Sequence, residues 1–244
     1  MSRIDLNCDV GEGAGLDAEL MRCITSANIA CGGHAGDAAL MRETVALARA
    51  GNVAIGAHPG YADRQNFGRR EIPMSPADLR ALVIQQVELL RTLGNVRHVK
   101  PHGALYNLAA RDREVANVVV SAIHDVDAKL ILFGLAGSEL VRAGLACGLT
   151  VAQEVFGDRT YQRDGLLTPR TEVGALIEDE TVMITQVLQM VQTGRVRAQD
   201  GSDVAITADT LCVHGDGPHA LQFVRRLRTE LAAAQIAVKA HGTP

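Results

Sequence analysis

The sequence predicts a parallel α/β fold, a closed or partly closed (β/α) barrel of about seven strands. Three observations carry that expectation. Short apolar segments alternate with segments of helical periodicity at intervals averaging roughly the ~30 residues of one βα unit. Polar clusters, often with glycine, follow nearly every strand, as on the C-terminal rim of a barrel; an open doubly wound sheet would gather them at one crevice. The hydrophobic fraction is 47%, yet aromatics are only 3% and Trp is absent, so the core is aliphatic and alanine-rich, as suits helices packed on a parallel sheet. No linker or low-complexity segment divides the 244 residues, and a single barrel domain over 1–244 is expected.

The elements follow in order. Arg3 to Cys8 reads as a short apolar strand, broken by the polar DVGEGAG. Leu16, Leu20 and Ile24 recur at helical spacing and lead to a second strand, Asn28 to Cys31. Asp37 opens a helix whose core face is Leu40, Met41, Thr44, Val45 and Ala48, with Gly51 at its stop. A third strand, Val53 to Ala57, enters the polar HPGYADRQNFGRR. Ser75-Pro76 then supplies a cap and a first-turn proline, and Leu79, Leu82, Val83, Leu89, Leu90 and Leu93 form the stripe of a long helix ended by Gly94.

The fourth strand, Val96 to Lys100, is followed by PHGALYN. Asp112 caps a helix with Val115, Val118, Val119, Ala122 and Ile123 inward. The fifth strand, Lys129 to Phe133, precedes GLAGS, where Ser138 caps a short helix stopped by Gly148. The sixth, Leu149 to Phe156, enters the longest polar connection, GDRTYQRDGLLTPRTE. Thr181 to Val191 is helical to Gly194, and Val196 to Ile206 reads as a hairpin around Asp200-Gly201. The seventh strand, Thr210 to Val213, ends in HGDG before a last helix from Pro218 to Gln235.

A net charge of −4 lacks the basic excess of a nucleic-acid or anionic-membrane surface. Five scattered cysteines without a CxxC pair read as reduced and mostly buried; with no apolar run of ~18 residues and no leader pattern, the expected location is the cytoplasm. GxxxxGK[ST] and GxSxG are absent, and GEGAG does not match GxGxxG.

The chemistry-bearing residues fall just after strands and so share one rim: Asp9 and Glu12; His34 and Asp37; His58, Asp63 and Arg69; Lys100, His102, Tyr106 and Asn107; Glu154, Asp158, Arg159, Tyr161, Asp164 and Arg170; His214 and Asp216. Lys100 and His102 lie two apart and share a face if the strand continues; the lysine needs a carboxylate partner, which Asp9 or Glu12 could supply, or a substrate anion. Asp37 and Asp216 serve equally well as helix caps. Two chemistries stay open. Asp9 with His34, His58, His102 and His214 could hold a divalent metal, although no HExxH or compact zinc spacing is present. Alternatively one histidine or carboxylate acts as general base, with Lys100 or an arginine holding an anion.

The runs DLNCDVGEG, SANIACGGHAGD, IGAHPGYADRQNFGRR, HVKPHGALYN, GLAGSEL, EVFGDRTYQRDGLLTPR and ADTLCVHGDGPHA resemble, in order and over nearly the whole chain, the LamB/YcsF family. The resemblance implies a distorted barrel of the glycoside hydrolase/deacetylase-like class. It implies the work of the A subunit of a bacterial ATP-dependent 5-oxoprolinase, which opens 5-oxo-L-proline to L-glutamate with ATP as co-substrate, beside subunits B and C. A non-catalytic subunit that binds the lactam and a stand-alone metal-dependent deacetylase or amidase are the rival readings.

On this resemblance His58 or His102 would activate water, with Asp9 or Glu12 orienting it or holding a metal. Lys100 and Arg69 would neutralise a carboxylate or phosphoryl group. Gly32 and Gly33 would offer backbone N–H groups to an oxyanion, and His34 would line the ring pocket. Asp37, Tyr106, Asn107, Glu154, Arg159, Arg170 and His214 complete the expected substrate contacts. No residue is assigned as a metal ligand, and whether a divalent metal is a cofactor stays open.

Overall fold

The structure is a computed structural model that describes residues 2–213 and 220–242. The expected sites His214 and Asp216 and the helix start at Pro218 lie outside these residues. Seven strands form the barrel: β1 (Arg3–Val10), β2 (Ser26–Ala30), β3 (Ala54–His58), β4 (Val96–Val99), β5 (Ile131–Leu135), β6 (Thr150–Phe156) and, after a β7–β8 hairpin (Arg195–Arg197 and Asp203–Ala205), β9 (Thr210–Val213). Each pairs in parallel with the next, and β9 pairs with both β6 and β1, which closes the sheet. A short β10 (Ala237–Val238) adds to the start of β1. The barrel is distorted at the β3–β4 seam, where the register shifts between Ile55 and Gly56.

The helices are α1 (Asp17–Leu20), α2 (Ala38–Ala50), α3 (Pro76–Arg91), α4 (Gly103–Arg111), α5 (Arg113–Val126), α6 (Glu139–Cys147), α7 (Glu180–Thr193) and α8 (Ala220–Ala233). The caps fall where the sequence places them. Asp37 accepts from Ala39 and Leu40, Ser75 from Asp78, Asp112 from Glu114 and Val115, and Ser138 from Val141. Gly148 and Gly194 take the left-handed conformation after α6 and α7, at φ 85° and 63°.

Four expectations are corrected. α1 spans one turn, because the chain turns back through Met21 to Cys23 before β2. PHGALYN carries a helix that the sequence reading does not include: α4 starts at Gly103, and its cap residue, His102, makes no side-chain capping bond. Leu89 is 42% exposed and does not belong to the α3 stripe, which buries Leu79, Val83, Val87 and Leu90. β1 is not simply apolar. Ile4, Leu6, Cys8 and Val10 are buried against the apolar core, while Asp5, Asn7 and Asp9 alternate with them and meet polar partners across the barrel.

That second face makes the barrel interior unusual. On one side Ile131, Phe133 and Ala152 form a small apolar cluster separate from the main core. On the other a polar column climbs the barrel. Thr210, Thr25 and Ser26 donate to the buried Asp5 carboxylate. Asn7 donates to Thr210, and Asn28 donates to Asn7 and to Asp9. His98 donates Nε2–H to Asn28 Oδ1 at 2.8 Å and stacks on Phe133 at 4.2 Å. Each carboxylate and amide side chain in the column therefore has a hydrogen-bond partner, the condition for tolerating it there. Gly56 makes room for the histidine, since a Cβ there would overlap its ring. Cys8, Cys23, Cys31 and Cys212 are buried free thiols, and Cys147 is exposed. Among the described residues no helix is long and apolar enough to cross a membrane.

Candidate active site

The top of the polar column opens into a cleft of about 640 Å³. Asp9, Glu12, His58, Lys100 and His102 lie at its floor, α4 supplies a wall through Ala104, Tyr106 and Asn107, and the β6–α7 connection supplies the opposite wall through Arg159, Leu167 and Arg170. The strand ends explain the convergence, because in a parallel barrel they all emerge on one rim.

Lys100 is the electrostatic centre. Its ammonium is buried and stands 2.9 Å from Asp9 Oδ1, 2.8 Å from Glu154 Oε1, 3.3 Å from Asn7 Oδ1 and 3.1 Å from Cys212 Sγ. Burial alone would lower its pKa, but the surrounding Asp9, Cys212 and Glu154 outweigh burial and hold it well above the ordinary lysine value. Of the two roles open to it, the ion pair is the one formed. Glu154, fully buried, also accepts from Tyr106 Oη at 2.6 Å; burial first, then the glutamate, pushes the phenol well above its usual pKa.

The histidines form one cluster. His58 Nδ1 lies 2.7 Å from the Lys100 carbonyl, and His102 Nε2 lies 2.8 Å from the Phe67 carbonyl. A carbonyl only accepts, so both of these nitrogens carry hydrogen. The other nitrogens, His58 Nε2 and His102 Nδ1, face each other at 2.9 Å. Asp9 Oδ2 is 3.3 Å from the first and Glu12 Oε1 is 3.6 Å from the second. His34 Nε2 contacts the same Glu12 oxygen at 2.9 Å, its ring stacks on His102 at 3.5 Å, and its Nδ1 has no hydrogen-bond partner. Burial pushes His34 down to about 3, with His58 adding to it, and His102 down to about 2, with His58 and His34 adding to it. Glu12, His34, His58 and His102 thus form a group whose donor atoms lie within 4.8 Å of one another, compatible with a divalent metal.

The other candidates separate. Arg69 lies over the Phe67 ring at 5.1 Å and lines the cleft, as do Arg170 and Asn107. Arg159 lines it too, but its guanidinium donates to the Thr168 and Ala175 carbonyls and so also braces the β6–α7 connection; burial, then Arg170, lowers it to about 10. Tyr161 braces the same connection by accepting from the Phe156 N–H. Asp37 is an exposed cap away from the cleft. Of the two glycines expected to cradle an oxyanion, Gly32 gives its N–H to the Ala35 carbonyl, and Gly33 is packed against Gln86 and the Gly60 carbonyl. His34 is 1% exposed and reaches Glu12 rather than the cleft surface. Asp5, Asn7, Asn28 and His98 were missed. The signal was present in the I-D-L-N-C-D alternation of β1 and in the Asn28 and His98 positions, each of which shares strand parity with a rim residue.

The sequence profile of the LamB/YcsF family matches residues 4–243. The chain is 51% identical to the 5-oxoprolinase A subunit of Bacillus licheniformis over 253 aligned residues, covering 100% of both proteins. It superposes on the crystal structure of the lactam utilization protein from Thermus thermophilus with a TM-score of 0.91 and 42% identity, over 98% of this chain and 99% of that one. A peptidoglycan N-acetylglucosamine deacetylase shares the fold at a TM-score of 0.51 and 10% identity, over 97% of this chain and 84% of that one.

Proposed function

The chain belongs to the LamB/YcsF family, and on that premise we propose that it is the lactam-opening subunit of an ATP-dependent 5-oxoprolinase working with subunits B and C. The observation that carries the reading is identity of 51% with the A subunit of a 5-oxoprolinase across the full length of both proteins. A lactam is a resonance-stabilised amide, so its opening needs activation. Transfer of the ATP γ-phosphoryl group to the lactam oxygen, with ADP leaving, gives an imidate. Water adds to its C5, the ring C–N bond breaks as the amine takes a proton, and a second water releases phosphate from the acyl phosphate left behind. The absence of a P-loop motif from this sequence supports giving the phosphoryl donor to B and C.

The cleft is suited to the water-addition half. Asp9, held at Oδ1 by Lys100 and Asn28, directs Oδ2 toward the histidine cluster and is the proton acceptor for the attacking water. Burial, with His58 and His34 adding to it, holds the basicity of His102 down, and both of its nitrogens are engaged, by His58 and by the Phe67 carbonyl. Arg69 and Arg170 sit on the rim, where guanidinium groups suit the substrate carboxylate and the phosphoryl oxygens. Lys100 fixes the two carboxylates instead of meeting substrate. The test is glutamate release from 5-oxoproline and ATP by this chain alone, by B with C, and by all three. Release by the three together and by neither part alone is expected; turnover by B with C at the full rate would refute the assignment.

A further inference from the structure

We propose that the rim cluster is a divalent-metal site in which His58 Nε2, His102 Nδ1 and Glu12 Oε1 are the ligands. With His58 Nδ1–H given to the Lys100 carbonyl and His102 Nε2–H given to the Phe67 carbonyl, the neutral rings can present only lone pairs at their inner nitrogens. Those two lone pairs point at each other across 2.9 Å, with the Glu12 and Asp9 carboxylate oxygens beside them at 3.6 and 3.3 Å. Acceptors facing acceptors at such distances repel unless a cation lies among them.

Two features favour a metal ion over a single shared proton. First, two carboxylate oxygens, of Glu12 and Asp9, stand beside the facing nitrogens at 3.6 and 3.3 Å, a set of donors larger than one shared proton can serve. Second, the outer nitrogens are anchored to backbone carbonyls, the arrangement that orients metal-bound imidazole and fixes its tautomer. The spacing also fits. Donors ~2.1 Å from one ion in tetrahedral or octahedral geometry stand about 3.0–3.4 Å apart, and the observed separations of 2.9 and 3.6 Å straddle that range.

His34 is assigned to the outer layer. Its ring is parallel to that of His102 within 4° and 3.5 Å away, so an ion in the plane of one cannot lie in the plane of the other; its Nε2–H instead orients Glu12. Two histidines and one glutamate with a position left open is a donor set of the zinc hydrolase type, and cobalt(II) and zinc(II) are the ions it suits. Such an ion lowers the pKa of water, leaving Asp9 Oδ2 as the neighbouring proton acceptor. That use rests on the ring-opening reading above, whereas the binding itself does not.

The experiment uses the full chain, prepared without a polyhistidine tag, stripped with chelator and titrated with cobalt(II). Uptake of about one ion per chain is expected, with visible d–d bands and X-ray absorption showing imidazole ligands. Glu12→Gln and His102→Asn should each weaken uptake by roughly 10–100-fold or more, and His34→Gln by a smaller factor. The wild-type spectra stand even if a variant misfolds. Absence of stoichiometric uptake, spectra without imidazole ligation, or equal affinity in wild type and folded Glu12 and His102 variants would overturn the proposal, the first pointing to a proton shared by the two rings. Cobalt binding in a chain whose complex releases no glutamate would instead overturn the functional reading alone.

Discussion

Lys100 shows how burial decides the use of a side chain. An ammonium at 3% exposure survives only because Asp9 and Glu154 flank it, and removing one partner of such a group leaves buried charge uncompensated. Lys100→Met should therefore cost about 3–5 kcal/mol of stability, read by urea denaturation, and should lower turnover of the assembled complex by orders of magnitude. Near-normal stability would mean that Asp9 and Glu154 are held by something else. His98 supplies a second test. Burial, then Lys100, His58 and Arg97, depresses it to about 3, while Asn28 and Phe133 hold the neutral ring. The folded state thus refuses a proton that the unfolded chain takes up near its ordinary pKa, so stability present above about pH 6.5 is lost as pH falls toward the folded value. At about pH 5 the loss is roughly 2 kcal/mol from this histidine. His98→Gln should reduce the acid loss by that amount; an unchanged slope of stability against pH would contradict it.

Among the elements, β3, β4 and α4 place the most chemistry. β3 ends at His58, β4 runs on to Lys100 and His102, and α4 starts immediately after and walls the cleft. The seam between the two strands depends on Gly56, whose missing side chain is the space occupied by His98. Gly56→Ala should cost about 1–3 kcal/mol by forcing the imidazole off Asn28, measured by thermal unfolding; a neutral effect would show that the ring can move freely. The sequence revealed the strands, because apolar runs bounded by polar clusters have few other solutions in a parallel sheet. It also revealed the capped helices, since Asp37, Ser75, Asp112 and Ser138 announce themselves. It concealed α4, which lacks a capping side chain, and the second face of β1. A polar residue in alternation reads as solvent-facing, and only closure of the barrel turns Asp5 and Asn7 inward onto Thr210 and Asn28.

At the scale of the molecule, the barrel stands a polar column beneath a charged rim. The rim residues were legible because they follow strands, and a parallel barrel collects all such positions at one end. Their pairing was not legible, because it depends on strand tilt and register: His34 and Asp37 share a segment with the rim yet the first turns to Glu12 and the second caps α2. On the proposed function, this barrel opens the ring once the lactam is activated. A preformed O-alkyl imidate of 5-oxoproline removes the need for ATP and for subunits B and C, so single-turnover hydrolysis of that compound by the chain alone isolates the step. Ring opening well above the rate in buffer, lost in Asp9→Asn, is expected. Hydrolysis no faster than in buffer, with B and C together accelerating it instead, would contradict it.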